Sequence, residues 1–419
     1  MNNPAVYDPY QGNQLIEPLG PLRSRKEVMS ILTDLPKRPK GFDSLPAHIA
    51  LHELLRLRDF HVPSAVEVQL FQSIDLMIRQ NYRYLNPVEP RTWATVSGEA
   101  IQRNPVRAPE FGAAVEGLSG TGKTQAVLRC LNTYPQQVVT HSTFPRIVGP
   151  HMQVVWLSVD IPASGRSADL AAALMIAWDK ATGGQRFRET LSRRVRSGMP
   201  MLEEWQQVAS GHFLGVLHLD EIQNLFKLSA LRKRSKRSGA EDAPELSIVE
   251  DQALKWILTL MNTWQIPLLV SGTPDGMRAL TRRMSNAERI ATSGHHLFRT
   301  FSSNDLSGFR ELFLDPLGRY QFVTKKLTID DELAKLILQL TAGIPRVIVA
   351  LWIGAQRIAL ERDKGDLTTA DLKKAAATYL APVAPAVGAL LSNDPKRMAR
   401  YEDLIPGEVE FWTQIMSRP

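Results

Sequence analysis

Residues 117–124 of this chain read GLSGTGKT, a stretch with three glycines, one lysine and a closing threonine. Glycines allow the backbone to curl so that successive N–H groups point at phosphate oxygens, and a helix that follows adds its positive N-terminal end. The spacing is that of a phosphate-binding loop, in which Lys123 reaches the β- and γ-phosphates and Thr124 offers its hydroxyl to a magnesium ion. We therefore predict nucleotide contacts for Gly117, Ser119, Gly120, Thr121, Gly122, Lys123 and Thr124.

Two adjacent acids, Asp220 and Glu221, end the apolar strand predicted within a second stretch, HFLGVLHLDEIQNL. An isolated Asp-Glu pair at a strand end is usually a solvated turn, but beside a phosphate-binding loop the pair has a defined chemistry. Asp220 holds the magnesium ion through water, and Glu221 polarises the attacking water. The combination predicts an ATPase with ATP and Mg²⁺ as cofactors. Lys123 and Glu221 are its predicted catalytic residues, and Thr124 and Asp220 are its predicted metal-binding residues.

Four apolar runs bounded by turn residues predict the strands that position these groups. They are FGAAVEG before the loop, MQVVWLSVD (152–160), the run that ends at Asp220, and IPLLVSGTPD (266–275). Helical stretches separate them, which predicts a parallel sheet with its ligand at the carboxyl ends of the strands. The last run ends near Ser271, whose hydroxyl either arrives near the γ-phosphate or belongs to a turn or helix cap before Pro274.

Composition is that of an ordinary globular protein. The chain has 419 residues, of which 44% are hydrophobic and 22% are charged, and it contains no run of about 18 uncharged apolar residues. The N-terminal stretch MNNPAVYDPYQGNQ lacks the basic and apolar regions of a signal peptide. One cysteine, Cys130, fits a reducing compartment. These features predict a cytoplasmic protein of two or three domains with no membrane partner.

The motifs resemble those of the AAA+ ATPases and, within them, the transposition regulators called TnsC and TniB. GLSGTGKT, LHLDE, LLVSGTPD and TAGIPRVIVAL follow one another in the family's order, within residues 100–380. A weaker likeness lies in residues 62–87, ahead of the core. The resemblance implies an α/β fold: an AAA+ P-loop ATPase with a parallel five-stranded sheet sandwiched by helices, a C-terminal helical lid and a helical N-terminal region.

We divide the chain into four predicted parts. Residues 1–100 are an N-terminal helical or extended region that binds a partner, and residues 101–305 are the nucleotide-binding core. Residues 306–380 are the helical lid. The tail, residues 381–419, opens with a proline-rich spacer and ends in the apolar cluster VEFW. Such a tail suits either a partner-docking peptide or a strap that folds back onto the lid of its own chain.

Three arginines are candidates for contacts with the γ-phosphate. GIPR resembles the second sensor motif of the lid, which implies a catalytic contact of Arg346 with ATP in its own subunit; otherwise Arg346 caps a helix. The resemblance also implies a ring or helical homo-oligomer in which an arginine touches the next subunit's ATP. Arg299 matches that catalytic arginine best and Arg289 is the second candidate, although Thr300 interrupts the compact RRF pattern of the family. The alternative for both is a surface salt bridge.

The formal net charge of +7 is concentrated locally. LRKRSKRSG (231–239) holds five cations and no anion, and QRFRETLSRRVRS (185–197) holds five cations and one anion. The first stretch is either a solvated loop or a loop that grips double-stranded DNA by its phosphates. The second has the spacing of an amphipathic surface helix with Arg186, Arg193 and Arg196 on one side. The predicted DNA-binding residues are Arg232, Lys233, Arg234, Lys236 and Arg237.

Three functions fit these features. The first is an ATP-dependent regulator of DNA transposition that oligomerises on target DNA and links a target-selecting adaptor protein to transposase recruitment, with slow ATP hydrolysis as its assembly switch. The second is a replication initiator or helicase loader, which usually adds a helix-turn-helix reader; the residues after 380 are too few and too rich in proline for one. The third is a nucleotide-switched protein scaffold without DNA, against which only the basic stretches argue.

Overall fold

The computed structural model describes most of the chain and resolves it into two compact units. Within the described residues, unit 1 comprises Met1–Val28, Ala65–Glu116 and Lys123–Leu297, and unit 2 comprises Met29–Ser64, Gly117–Gly122 and Phe298–Pro419. Each unit has its own core. The described residues are 7–97, 109–193, 197–228, 246–248, 251–262, 264–283, 290–362, 365–392, 394–398, 401 and 411–413.

Five strands form a parallel sheet in the order β4-β5-β8-β1-β9. The apolar runs predict the parallel sheet, and the resemblance to AAA+ ATPases implies its five strands. Two antiparallel pairs lie outside it, β2 with β3 and β6 with β7. The strands are β1 (Gly112–Gly117), β2 (Val138–His141), β3 (His151–Val154), β4 (Trp156–Asp160), β5 (Val216–Asp220), β6 (Phe226–Leu228), β7 (Leu246–Ile248), β8 (Leu268–Gly272) and β9 (His295–Phe298).

Helices flank the sheet and make up most of the remaining structure. In the first half of the chain the α-helices are α1 (Arg25–Leu32), α2 (Ala47–Leu55), α3 (Ala65–Tyr84), α4 (Pro90–Val96), α5 (Lys123–Leu131), α6 (Ser167–Thr182), α7 (Arg188–Ser192) and α8 (Gly198–Gly211). In the second half they are α9 (Asp251–Asn262), α10 (Pro274–Arg283), α11 (Leu306–Phe309), α12 (Asp315–Gly318), α13 (Asp331–Thr341), α14 (Pro345–Leu360), α15 (Thr369–Thr378), α16 (Ala384–Leu391) and α17 (Pro395–Met398).

The central strands of the sheet are apolar and fully covered. Every residue of β5 and β8 is buried, which is why both read as continuous apolar runs rather than alternating ones. The parallel register pairs Asp160 with Asp220 and Val115 with Ser271. Because parallel strands end at the same edge, β4, β5 and β8 carry their polar residues to one side of the sheet.

Unit 1 packs its helices on the sheet through large side chains. Trp178, Trp205 and Trp256 are almost fully buried, and their rings meet edge to face at centroid distances of 6.3 and 5.9 Å. Such ring pairs add stability beyond the area they bury. This core fixes α6, α8 and α9 against the strands that carry the polar edge.

Unit 2 is helical and includes residues from the N-terminal part of the chain. Helix α14 lies at its centre, with all but a few of its side chains buried. Leu54 of α2 and Phe60 after it belong to the same apolar cluster as α13, α14 and α15. Residues 29–64 therefore pack with the helices after 298, while residues 65–97 pack in unit 1.

The run 152–160 is two strands, not one. Residues 151–154 pair antiparallel with 138–141 in a hairpin, and 156–160 join the parallel sheet. Val155 separates them, because its N–H donates to the Gln137 carbonyl while its own carbonyl accepts from Val216. An uninterrupted apolar run does not reveal that its two halves pair with different strands.

The spacing of the stretch 185–197 predicts a helix along its length, but among its described residues, 185–193 and 197, only Arg188–Ser192 is helical. Arg193 is extended. The carboxylate of Asp179 accepts the backbone N–H groups of Arg186 and Phe187, which holds the chain ahead of α7 in a turn. Phe187 is fully buried.

The start of the tail is folded rather than a spacer. Residues Ala381–Val383 form a 3₁₀-helix and Ala384–Leu391 form α16, with prolines in the first turn of each. Proline is tolerated there because the first N–H groups of a helix have no intrahelical partner. No single helix in the described part is long and apolar enough to cross a membrane; two bent pairs, α13 with α14 and Thr369–Thr378 with Ala381–Leu391, reach that length and composition together.

Candidate nucleotide-binding site

The glycine-rich loop turns sharply between β1 and α5. Gly120 and Gly122 have φ angles of 83° and 93°, in the left-handed region that favours glycine. Thr121 closes the turn through its N–H and hydroxyl, which both donate to the Leu118 carbonyl. A Cβ on Gly117 would lie 2.6 Å from the Thr121 hydroxyl oxygen, so a side chain there would fill the turn.

Arg346 touches this loop within unit 2. Its backbone N–H donates to the Gly120 carbonyl at 3.4 Å, and a Cβ built on Gly120 would lie 3.4 Å from its Nε. The N-cap of α14 is Ile344, so Arg346 lies in the first turn of the helix rather than at its cap. Its guanidinium is thereby beside the loop that the sequence assigns to phosphate.

Lys123 is a buried cation at the start of a helix. Its side chain is only 6% exposed, and no anion among the described residues pairs with it. A positive charge at a helix N-terminus is unfavourable, and burying an unpaired charge costs further free energy. An anionic ligand beside the loop relieves both costs, so Lys123 fits a phosphate group.

Asp220, at the end of β5, accepts three hydrogen bonds. The Thr124 hydroxyl donates to its Oδ2 at 2.5 Å, while the Ser271 hydroxyl and the Glu221 N–H donate to Oδ1. Burial alone raises the pKa of this carboxyl, but His218 and the three hydrogen bonds outweigh burial and hold the pKa below its ordinary value. Asp220 is therefore a carboxylate at neutral pH.

A hydrogen-bonded chain supports Asp220 from three neighbouring strands. Ser158 on β4 bonds Nδ1 of His218 at 2.8 Å, and Nε2 of His218 bonds Ser271 at 2.7 Å. Because the Ser271 hydroxyl donates to Asp220, its oxygen accepts from His218, which places the imidazole proton on Nε2. Burial lowers the pKa of His218 to about 4, although Asp220 acts in the opposite direction. The imidazole is thus neutral.

Glu221 follows in an unusual backbone conformation. Its φ of 57° is left-handed, which is uncommon for a residue with a side chain and often marks a functional position. Gln223 donates to the Glu221 carboxylate and accepts from the Thr273 N–H. A Cβ on Gly272 would lie 2.8 Å from Oε1 of Gln223, so glycine is needed for this close approach.

Asp160 adds a second carboxyl at the same edge. Burial and the neighbouring Asp220 both raise the pKa of Asp160. Sequence reasoning missed Asp160, Ser158, His218 and Gln223. The alternation of a strand places His218 on the same face as Asp220, two residues away, which is the one signal that the sequence offers for it. Nothing in the sequence couples Gln223 to Glu221 and Thr273.

The structure brings some predicted residues together and leaves others apart or undescribed. Thr124, Asp220 and Ser271 form one hydrogen-bonded group, and Arg346 contacts Gly120. Arg299 is exposed directly after β9. Arg289 and Arg196 lie outside the described residues, as does the predicted DNA-binding group Arg232, Lys233, Arg234, Lys236 and Arg237.

The oxygen atoms of this group suit magnesium. With its proton committed to Asp220, the Thr124 hydroxyl keeps lone pairs for a hard cation, and the Asp220 carboxylate offers oxygen atoms to water bound on such a cation. No set of three or more His, Cys, Asp or Glu side chains in the described part converges on a metal position. Magnesium at nucleotide sites takes one or two protein ligands and completes its shell with phosphate and water oxygens. The donor set therefore fits a nucleotide-bound magnesium ion.

Comparison with known proteins finds one family model that matches part of the chain. Residues 112–280 match a protein-family model described as an AAA domain, and this stretch contains β1, α5, β5 and β8. No curated protein matches the chain. Among solved structures, the ORC2 protein of Aeropyrum pernix, solved in ADPNP-ADP complexes, matches with 13% identity over 86% of this chain and 88% of that chain, at a TM-score of 0.41.

Proposed function

We propose that this protein binds ATP with Mg²⁺ and hydrolyses it slowly, as a switch for assembly. The observation that supports this proposal is the hydrogen-bonded group of Thr124, Asp220 and Ser271. Thr124 of this group directly follows the glycine-rich loop and the buried cation Lys123. The N–H groups of residues 117–124 and the Lys123 ammonium hold the phosphates. Thr124 and Asp220 would hold a magnesium ion, which neutralises phosphate charge when bound.

Glu221 would act on the attacking water. A carboxylate at the end of β5 orients water and accepts its proton as the bond to the γ-phosphate breaks. Gln223 fixes that carboxylate through a hydrogen bond, and the left-handed backbone at Glu221 aims the side chain differently from an ordinary strand residue. Ser271 and Arg346 would contact the γ-phosphate, Ser271 through its link to Asp220 and Arg346 through its place beside Gly120.

The biological role that we propose is regulation of DNA transposition. ATP binding would assemble subunits on target DNA, and the assembly would recruit a transposase at a site chosen by an adaptor protein. The support is the order of the four motifs, which resembles TnsC and TniB, and the match of residues 112–280 to an AAA domain. Subunits would assemble as a ring or helix in which Arg299 reaches the neighbouring ATP, since Arg299 is exposed and follows the last strand of the sheet.

Exposed cations in unit 2 also favour a polyanionic partner such as DNA. Lys37, Arg38 and Lys40 are exposed on the arm that precedes α2, and Arg319 and Lys325 are exposed after α12. The guanidinium of Arg38 donates to the Arg319 carbonyl at 3.4 Å, which joins the two groups. Cations grouped in this way can neutralise neighbouring phosphates without reading sequence.

The deciding experiment is a shift assay on random duplex DNA with ATP, with ADP and without nucleotide. We expect large complexes with ATP and weak or no complexes otherwise. DNA binding that ignores nucleotide would remove the switch from the proposal. ATP-dependent assembly without DNA binding would favour the protein scaffold, and sequence-specific binding by single subunits would favour an initiator.

A further inference from the structure

Three aromatic residues of the predicted tail lie in the core of unit 2. Tyr401, Phe411 and Trp412 are 0%, 1% and 5% exposed, and all three belong to the apolar cluster formed around α14. Two of these aromatic residues contact groups that the nucleotide site uses, and the contacts lie wholly within unit 2.

The first contact fixes Arg346. Its guanidinium carbon lies 4.6 Å from the centre of the Phe411 ring, within the range of a cation–π interaction. A guanidinium held against an aromatic ring keeps N–H groups that can donate to an anion. An arginine side chain samples many rotamers, and the contact with Phe411 removes part of that freedom before any ligand binds. Phe411 thus holds Arg346 ready for a phosphate oxygen.

The second contact fixes the glycine-rich loop. The Tyr401 hydroxyl donates to the Ser119 carbonyl at 2.7 Å. In a trans peptide the C=O and the following N–H point in opposite directions, and the described backbone contains no cis peptide bond. Anchoring the Ser119 carbonyl on Tyr401 therefore directs the Gly120 N–H away from Tyr401. That N–H is one of the donors that the loop offers to phosphate.

We propose that the C-terminal aromatic residues are positioning residues of the nucleotide site, with Phe411 setting its selectivity for the γ-phosphate through Arg346 and Tyr401 ordering the loop. The inference rests on the proposed binding of ATP. Phe411 and Tyr401 have different roles in this proposal. An arginine that contacts only the γ-phosphate distinguishes ATP from ADP, whereas a loop N–H group binds phosphates that ATP and ADP share.

The test is calorimetric titration of the full chain with ADP and with a non-hydrolysable ATP analogue, both with Mg²⁺. Phe411→Leu keeps an apolar side chain but loses the ring. We expect it to lower the affinity for the ATP analogue about 2- to 30-fold, the range of a cation–π contact, and to leave ADP affinity unchanged. Tyr401→Phe should weaken both nucleotides to a similar extent.

Trp412→Leu is the matched control. Trp412 is the next residue and equally aromatic, but the cation over its ring is Arg58, at 4.8 Å, rather than Arg346. We expect Trp412→Leu to leave the ratio of the affinity for the ATP analogue to the affinity for ADP unchanged. In an Arg346→Ala background, Phe411→Leu should have no further effect on that ratio, because the group it positions is gone.

Two results would overturn the inference: an unchanged ratio of the two affinities in Phe411→Leu, which includes an equal loss for both nucleotides, or the same change of that ratio in Trp412→Leu. If Phe411→Leu does not fold, Phe411→Met, which is longer and flexible, carries the same test. Wild-type protein that binds neither nucleotide would contradict the proposed function itself. Wild-type protein that prefers the ATP analogue while Phe411→Leu keeps that preference would contradict only this inference.

Discussion

The hydroxyl of Thr124 lies 2.5 Å from Oδ2 of Asp220, although 96 positions separate the two residues in the chain. Thr124 is the second residue of the helix after the glycine-rich loop, and Asp220 ends β5, which lies between β4 and β8 in the sheet. Their hydrogen bond joins the two motifs that the sequence assigns to nucleotide chemistry. It also commits the Thr124 proton, which leaves the hydroxyl oxygen to act as a ligand.

Lys123 is expected to destabilise the unliganded fold and to be required for nucleotide binding. Lys123→Met keeps the apolar stem and removes a buried charge from a helix N-terminus, so the unliganded variant should unfold at the same temperature or a higher one. ATP with Mg²⁺ should raise the unfolding temperature of the wild type and not that of the variant. Thermal unfolding with and without ATP measures both effects. Equal stabilisation of the two proteins by ATP would contradict the site.

Glu221 is expected to affect turnover rather than binding. Glu221→Gln keeps the size of the side chain but loses the carboxylate that orients water, so ATP affinity should stay within about 3-fold while the turnover rate falls by about 100-fold or more. Gln223→Ala should reduce turnover less, because it frees the Glu221 carboxylate without removing it. Single-turnover hydrolysis and nucleotide titration separate the two quantities. A Glu221→Gln protein that hydrolyses ATP at the wild-type rate would remove Glu221 from the mechanism.

The lowered pKa of His218 predicts that acid destabilises the fold. Its folded pKa of about 4 lies below the ordinary value of 6.5, so the unfolded chain binds more protons between these pH values. The stability that it contributes is complete above pH 6.5 and is lost as the pH falls toward 4, by up to about 3 kcal/mol. The pKa values of His151 and His296 are lowered too, so both residues contribute to the loss of stability in acid. The difference between the wild type and His218→Gln gives the contribution of His218 alone. Urea unfolding from pH 7 to pH 4 should show a shallower loss in the variant; parallel curves would contradict the assignment.

The local motifs of the site were predictable because each motif consists of residues that are adjacent in the chain. The loop needs glycine at positive φ, and Gly120 and Gly122 stand where the spacing requires them. The strand that ends at Asp220 is mostly apolar because both its faces are covered, and its polar residues are His218 and Asp220. From such features the sequence correctly predicts a parallel sheet, and the resemblance to AAA+ ATPases correctly implies its five strands and the helices around it.

Long-range pairing was not predictable in the same way. The two halves of the run 152–160 pair with different strands elsewhere in the chain. The apolar pattern of the run does not identify those strands. The five-residue α7 is limited by the Asp179 carboxylate, which lies outside the stretch 185–197. The burial of Phe411 depends on α14, and a short aromatic cluster in a polar tail suits a docking peptide equally well.

Arg299 is expected to act between subunits. Its exposure after β9 fits a group that completes a neighbour's site, so Arg299→Ala should lower ATP turnover on DNA and leave the ATP affinity of the isolated subunit unchanged. Arg310→Ala is the control, because Arg310 is a surface arginine that pairs with Asp331 at 2.7 Å. Turnover assays with and without duplex DNA measure the effect. If Arg299→Ala turns over ATP like the wild type on DNA, Arg289 is the next candidate.

The cationic group Arg232, Lys233, Arg234, Lys236 and Arg237 separates a DNA-bound regulator from a protein scaffold. Each cation that neutralises a phosphate releases counterions, so affinity should fall with salt at a slope of about −0.9 per duplex contact, multiplied by the number of subunits engaged. Replacing all five by serine should lower affinity on every sequence tested and flatten that slope, because phosphate contacts position a protein without specifying a sequence. ATP binding by the single subunit should survive.

Substitution of Arg186, Arg188 and Arg193 by serine provides the comparison for this group. These residues belong to the other basic stretch, around the short helix α7, so the triple variant removes positive charge at a different place in the chain. Filter binding on random duplex DNA over a range of salt concentrations gives the slopes of all three proteins. We expect the larger change in the five-serine variant. If its affinity and slope equal those of the wild type while the triple variant loses both, DNA is held at α7; if neither variant changes, the basic stretches do not bind DNA and the scaffold function is favoured.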